Sequence, residues 1–217
     1  IRFCDIGGRT YLNLLDKILP IIEDQEYDVQ IEDNREAHDF QFELIDESIH
    51  FNKTWGKKHP QAGQPIVLRD YQVQTINKFL EAPQCLQEIA TGAGKTIITA
   101  TLSQLVQKYG RSIVIVPNKS LVSQTEEDYK TLGLDVGVYY GERKEFNKQH
   151  TICTWQSLNV LLKKTKKYEA ETTIGEFLNN VVCVMVDEVH QAKADVLKTL
   201  LTGPFANVPI RWGLTGT

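Results

Sequence analysis

The stretch Gln87-Glu88-Ile89-Ala90-Thr91-Gly92-Ala93-Gly94-Lys95-Thr96 constrains the fold more than any other part of this 217-residue chain. It follows a short apolar run and precedes Ile97-Ile98-Thr99-Ala100-Thr101-Leu102, which predicts a strand, a glycine-rich turn and a helix in succession. Gly92 and Gly94 let successive backbone N–H groups point into one concavity, and the helix that starts there presents its positive dipole end to the same point. A polyphosphate is the natural ligand of such a turn. Lys95 would supply a point charge to its terminal phosphates, and the Thr96 hydroxyl would complete the shell of a Mg²⁺ that keeps several waters. The general pattern G-x-x-x-x-G-K-[ST] places glycine where this chain has Ile89, so the loop here is the x-A-T-G-x-G-K-T form.

Around this turn the pattern from Ile66 onward is regular. Helices over 69–81, 95–109, 119–132 and 155–165 alternate with strands over 85–89, 112–116, 136–140, 150–153, 181–186 and 210–214, which predicts an α/β fold with a mostly parallel sheet flanked by helices. Ser112–Val116 and Val181–Val186 are nearly continuous apolar runs, as expected of strands covered on both faces. Ligands of such sheets lie beyond the carboxyl ends of the strands, so residues following each strand are the functional candidates.

Those strand ends carry a consistent set. Asp187-Glu188-Val189-His190 follows a buried strand, where an acidic pair is costly unless a cation or a catalytic duty requires it. Asp187 is placed to hold the metal through water, and Glu188 to orient and deprotonate an attacking water. Pro117-Asn118-Lys119-Ser120 offers N–H groups, a hydroxyl and an ammonium suited to a backbone phosphate, though an ordinary capped helix start reads the same way. Thr154 and Gln156 offer neutral hydrogen bonds of the same kind, while Trp155 between them reads as core. Lys163-Lys164-Thr165-Lys166-Lys167 reads as a solvated face, with a duplex-contacting loop as the alternative.

Taken in order, Lys95-Thr96, Asp187-Glu188-Val189-His190 and Gly213-Leu214-Thr215-Gly216-Thr217 resemble motifs I, II and III of superfamily 2 helicases, over residues 66–217. Pro117–Gln124 is similar to motif Ia, and Thr151–Leu158 to the later nucleic-acid motif ending in T-x-Q. Leu68-Arg69-Asp70-Tyr71-Gln72 resembles the adenine-reading motif, with Arg69 beside the nucleotide and the Gln72 amide facing the base. The R-D-Y-Q, T-G-A-G-K-T and T-W-Q series looks most like UvsW-type phage recombination and repair helicases, and also like restriction-enzyme translocases and XPB-type helicases. The resemblance implies a RecA-like domain that binds ATP and Mg²⁺ and hydrolyses the nucleotide while moving on DNA. It implies branched DNA or duplex/single-strand junctions as partners, with RNA–DNA hybrids as a further class. It also implies a monomer in the cytoplasm, that of the host if the chain is phage-encoded. His190, Thr215 and Thr217 would couple nucleotide state to motion. Motif III carries Gly216 where alanine is common; a small residue is kept, so the departure should matter little. An RNA helicase, a restriction translocase and a binding module without turnover remain open readings of the same residues.

Composition adds boundaries. Residues 1–50 hold 4 Lys/Arg against 13 Asp/Glu, and residues 51–217 hold 20 against 15, so a polyanion should meet the later part. No apolar run is long enough to span a bilayer. Cys4, Cys85, Cys153 and Cys183 lack C-x-x-C spacing and read as buried thiols of a reducing compartment. Residues 1–50 read as part of an accessory α/β piece, with a helix from Tyr11 to Ile22 and a strand over 27–31, and 51–65 as a linker. The first residue is not Met and the last falls inside a motif, so the chain reads as an excerpt of a longer protein, and the resemblance implies a second RecA-like domain, with motifs IV to VI and the arginine finger, outside it.

Overall fold

The structure, a computed structural model, describes residues 4, 6–10, 14–32, 38–47, 50–56, 60–191 and 194–216. Tyr11–Asn13 of the expected first helix, Lys57-Lys58-His59 of the expected linker and Thr217 lie outside the described residues. The chain divides into two compact units, Ile1–Asp39 and Phe40–Thr217.

The first unit contains α1 (Leu15–Glu23), which buries Ile18. The strand expected over 27–31 does not form, and Tyr27, Val29 and Ile31 stand exposed. Alternation makes a strand only where a neighbour supplies ladder bonds and a face to bury, and none pairs here among the described residues.

The first strands of the second unit are β1 (His50–Thr54) and β2 (Pro65–Val67), an antiparallel pair at the two ends of the expected linker. Mutual bonds between Trp55 N and Gln64 O (2.9 Å) and between Gly63 N and Trp55 O (3.0 Å) extend it toward its loop. There follow α2 (Asp70–Leu80), β3 (Gln84–Glu88), α3 (Lys95–Val106), β4 (Arg111–Val116), α4 (Lys119–Thr131), β5 (Val136–Tyr140), β6 (Arg143–Lys144), β7 (His150–Thr154), α5 (Trp155–Lys166), α6 (Ile174–Phe177), β8 (Val181–Val186), α7 (Ala194–Thr202) and β9 (Ile210–Thr215). The seven-stranded sheet runs β3-β9-β8-β4-β7-β5-β6, parallel except for β6.

The apolar runs acquire their meaning from the two helical layers. Val114, Val116, Cys183 and Met185 pack with α2, α3 and α4, while Ile113, Ile115, Val184 and Val186 pack with α5, α6 and α7. Trp155 lies half-buried against the second layer. The thiol expectation fails at Cys85, which is only half-buried because β3 is an edge strand, and at Cys4; Cys153 and Cys183 are fully enclosed, and all four are free.

Residues 40–45 are packed on this unit. Phe40 and Phe42 meet the Tyr109 ring edge-on at 5.1 and 5.2 Å, and the Asn77 side-chain amide exchanges two 2.9 Å hydrogen bonds with the backbone of Ile45. By its contacts the second unit therefore begins ahead of residue 50, the boundary expected from composition.

On the other flank, Arg143 grips the buried Glu126 of α4 through Nη1–Oε2 at 2.7 Å and Nη2–Oε1 at 2.9 Å. These bonds, helped by Lys130 and opposed by burial, hold the Glu126 carboxyl down to about 2. Arg143→Met is expected to cost about 2 kcal/mol in urea unfolding at neutral pH. A depressed carboxylate stabilises above its ordinary value of 4.5 and loses that contribution as pH falls toward about 2, so the gap between variant and wild type should close over that window. A gap independent of pH would show that packing, not charge, holds the turn.

Candidate functional site

The carboxyl ends of β3, β9, β8, β4 and β7 bring the sequence candidates to one edge of the sheet. Gly92 and Gly94 take left-handed φ values of 81° and 83°, which aims the intervening N–H groups inward and lets α3 start at Lys95. A β-carbon on Gly94 would fall 2.6 Å from Gln72 Nε2, so the loop lies directly on that amide.

Gln72 itself departs from the expectation. It is 5% exposed, its oxygen accepts from Arg69 N at 2.9 Å, and its nitrogen donates to Ala93 O at 2.9 Å. The amide thus braces the phosphate loop from below and does not face an open base site, because the capping box of α2 turns it inward. Tyr71, given no role by sequence reasoning, donates to the same Ala93 carbonyl at 3.0 Å and accepts from the exposed Arg69 Nη1 at 3.1 Å. A tyrosine beside the glutamine was the only available signal.

Across the loop, the Lys95 ammonium is ion-paired with Glu188 Oε1, and Glu188 Oε2 accepts from Gly216 N at 3.2 Å. Glu188 sits at φ 50°, a left-handed conformation unusual for glutamate that costs on the order of 1 kcal/mol. Burial pushes its carboxyl up, but the Lys95 hydrogen bond and the Gly216 N–H together outweigh it, so the group stays below the ordinary carboxylate range. Asp187 is deeper; burial, reinforced by the Glu188 charge, raises its carboxyl despite Lys95 nearby. Its backbone N–H donates to Ile115 O at 2.9 Å, which ties the acidic pair to β4. His190 Nδ1 lies 2.8 Å from Thr215 Oγ1 and 3.4 Å from Glu188 Oε2, joining the ends of β8 and β9.

The donor set fits a nucleotide phosphate with a hard cation. Thr96 and Asp187 could supply oxygen ligands, and among the described residues no group of three or more His, Cys, Asp or Glu could chelate a metal alone. Mg²⁺ takes that sort of site, with few protein ligands and the remainder from phosphates and water. The metal would neutralise charge developing on the phosphates.

The neighbouring strand ends divide less evenly. Asn118, Lys119 and Ser120 are exposed, Pro117 is half-buried, and Asn118 Oδ1 caps α4 by accepting from Leu121 N at 3.0 Å. Gln156 is exposed and donates to Pro117 O at 3.3 Å, so the two loops touch. Thr154 does not present its hydroxyl outward: it is 4% exposed and caps α5 through Ser157 N at 3.3 Å. Its reading as a backbone contact is therefore corrected to a local cap, since a threonine ending a strand satisfies the next helix first.

The model of the family described as type III restriction enzyme, res subunit, matches residues 65–217. The chain belongs to this family. It is thereby a superfamily 2 helicase domain of RecA-like fold, with nucleotide use and nucleic-acid binding as family properties. The DNA 3'-5' translocase XPB2 of Sulfurisphaera tokodaii is 28% identical to the helicase domain over 159 residues, covering 73% of this chain and 32% of that protein. The Arabidopsis thaliana protein named DEAD-box ATP-dependent RNA helicase FANCM is 26% identical over 164 residues, covering 73% of this chain and 12% of its own length. The chain thus spans about a third or less of these relatives. Among solved structures, the UvsW helicase from Bacteriophage T4 superposes with TM-score 0.70 at 18% identity, covering 100% of this chain and 75% of that one. The helicase domain of Pyrococcus furiosus Hef superposes with TM-score 0.55 at 21% identity, over 69% of this chain and 33% of its own. At these identities the likeness speaks for the fold. Among the described residues of the helicase domain and the first unit, no helix is long and apolar enough to cross a membrane.

Proposed function

We propose that the chain is the ATP-binding motor domain of a DNA helicase or translocase acting on branched DNA in recombination and repair, of the phage type, using Mg²⁺. The observation that carries this reading is the convergence of Lys95, Glu188, His190, Thr215 and Gly216 within bonding distance of one another, beside the exposed Asn118–Ser120 and Gln156 loops. Lys95 takes the terminal phosphates, Thr96 and Asp187 the metal, and Glu188 the proton of the attacking water. His190 relays the state of Glu188 to Thr215. Arg69 and Tyr71 flank the nucleotide, with Gln72 setting the loop height. The DNA backbone lies across the 117–120 and 156 loops, so binding reads no base edge and weakens with salt. The fold likeness to UvsW supports the phage-type assignment because it extends over the whole chain, beyond the family-matched residues. Stepwise motion then needs a second RecA-like domain to close against this one.

The test is ATP hydrolysis by the full-length protein with branched DNA, single-stranded DNA or RNA, with and without Mg²⁺. Strongest stimulation by branched DNA is expected; stimulation by RNA alone would replace the DNA reading, and none by any nucleic acid would sink the motor.

Gly216 makes a second test. A β-carbon there would lie 2.7 Å from Lys95 Nζ and 3.4 Å from Glu188 Oε2, so the missing side chain is the space in which the pair forms. The lysine tip can yield. Gly216→Ala is expected to loosen the pair, free Lys95 for phosphate and lower the KM for ATP roughly 2- to 10-fold, the worth of one hydrogen bond. An unchanged KM would mean the departure from alanine is neutral after all.

A further inference from the structure

A line of hydrogen-bonded side chains crosses the otherwise apolar layer between the sheet and helices α3 and α4. Ser112 on β4 donates to Ser103 on α3 at 3.1 Å, and Ser112 also meets His150 Nδ1 on β7 at 2.8 Å. Ser103 meets the Tyr129 hydroxyl of α4 at 3.0 Å. One turn back along α3, the Thr99 hydroxyl donates to the Thr96 carbonyl at 3.0 Å. Ser103, Ser112, Tyr129 and His150 are 0% exposed and Thr99 is 2% exposed, so water does not complete these bonds from outside.

The proton order is fixed at the His150 end of the line. Ser112 spends its proton on Ser103, so it accepts from His150, which puts the imidazole proton on Nδ1. Burial keeps the imidazole neutral, its value pushed down to about 4, and keeps the phenol protonated. From β7 to α3 the protons therefore run one way, His150 to Ser112 to Ser103. One loose end is left: His150 Nε2 is a buried acceptor with no hydrogen-bond partner.

Four buried polar side chains stand where alanine, valine and phenylalanine would pack, and such lines add little net stability; what they fix is relative position. The elements they join are those that build the two sites. Helix α3 starts in the phosphate loop, α4 starts at Lys119, β4 runs into Pro117, and β7 runs toward Gln156. We propose that this polar seam couples nucleic-acid engagement to ATP turnover, with Ser103 and Tyr129 as positioning residues for helix α3 and the phosphate loop at its start. The inference rests on the motor reading above.

The experiment measures ATP turnover of the full-length protein with and without saturating DNA, together with DNA affinity and thermal midpoint. The double variant Ser103→Ala/Tyr129→Phe removes both partners of one bond and so leaves no orphaned group between them. Ser112→Ala is a second break, where the line meets β4. The ratio of stimulated to basal turnover should fall about 2- to 30-fold in either variant, with DNA affinity within error of wild type. Folded variants that keep the full ratio, or lose basal and stimulated turnover in equal proportion, overturn the seam. A wild type that DNA does not stimulate overturns the motor reading instead, so the two failures are distinct.

Discussion

Glu188→Gln should bind ATP yet hydrolyse it about 10²- to 10⁴-fold more slowly than the wild type, the usual worth of a positioned general base. The carboxylate is prepared for that duty: Lys95 and the Gly216 N–H keep it ionised, and the left-handed backbone turns it toward the loop. Glutamine preserves the shape and one acceptor for Gly216 but cannot take a proton. Steady-state turnover beside equilibrium ATP binding separates chemistry from affinity. Near-wild-type turnover would assign the base to another residue, and loss of binding would make Glu188 chiefly the partner of Lys95.

Gly94→Ala should disable the loop from beneath. A residue with a side chain at φ 83° is strained by roughly 1–2 kcal/mol. The new β-carbon, 2.6 Å from Gln72 Nε2, would also push that amide off the Ala93 carbonyl and leave a buried donor unpaired, at about 1–3 kcal/mol. Together these predict a loss of about 2–5 kcal/mol, shared between thermal stability and ATP affinity, and read by calorimetry of each. If Gln72→Ala weakens ATP binding while Gly94→Ala does not, the glutamine acts on the base directly and its bracing role falls.

Much of the second unit was readable because its strands are buried on both faces and its helices start at recognisable turns. The run Val181–Val186 and the turn at Gly92–Thr96 left little choice of geometry. The strand expected at 27–31 failed for the opposite reason: alternation is local, whereas pairing needs a partner that the sequence does not announce. Short elements such as Arg143–Lys144 and Ile174–Phe177 carry too few residues for any period to register. In the site, residue types pointed to the right edge of the sheet, but hydrogen-bond direction was invisible. Thr154 and Gln72 have the chemistry to meet a ligand, and both spend it on capping bonds inside the protein. The left-handed Glu188 and the room provided by Gly216 are three-dimensional facts with no one-letter signature.

The residue 40–45 segment changes how such a domain can be excised or exchanged. The family match begins at residue 65, yet Tyr109 finds two of its ring partners in Phe40 and Phe42, and Asn77 finds both of its amide bonds at Ile45. A gene fragment cut at the family boundary would strip these partners from helix α2 and from the residues after α3, uncovering aromatic surface. A chimera joining this domain to a different front end would need to bring its own equivalent of that segment.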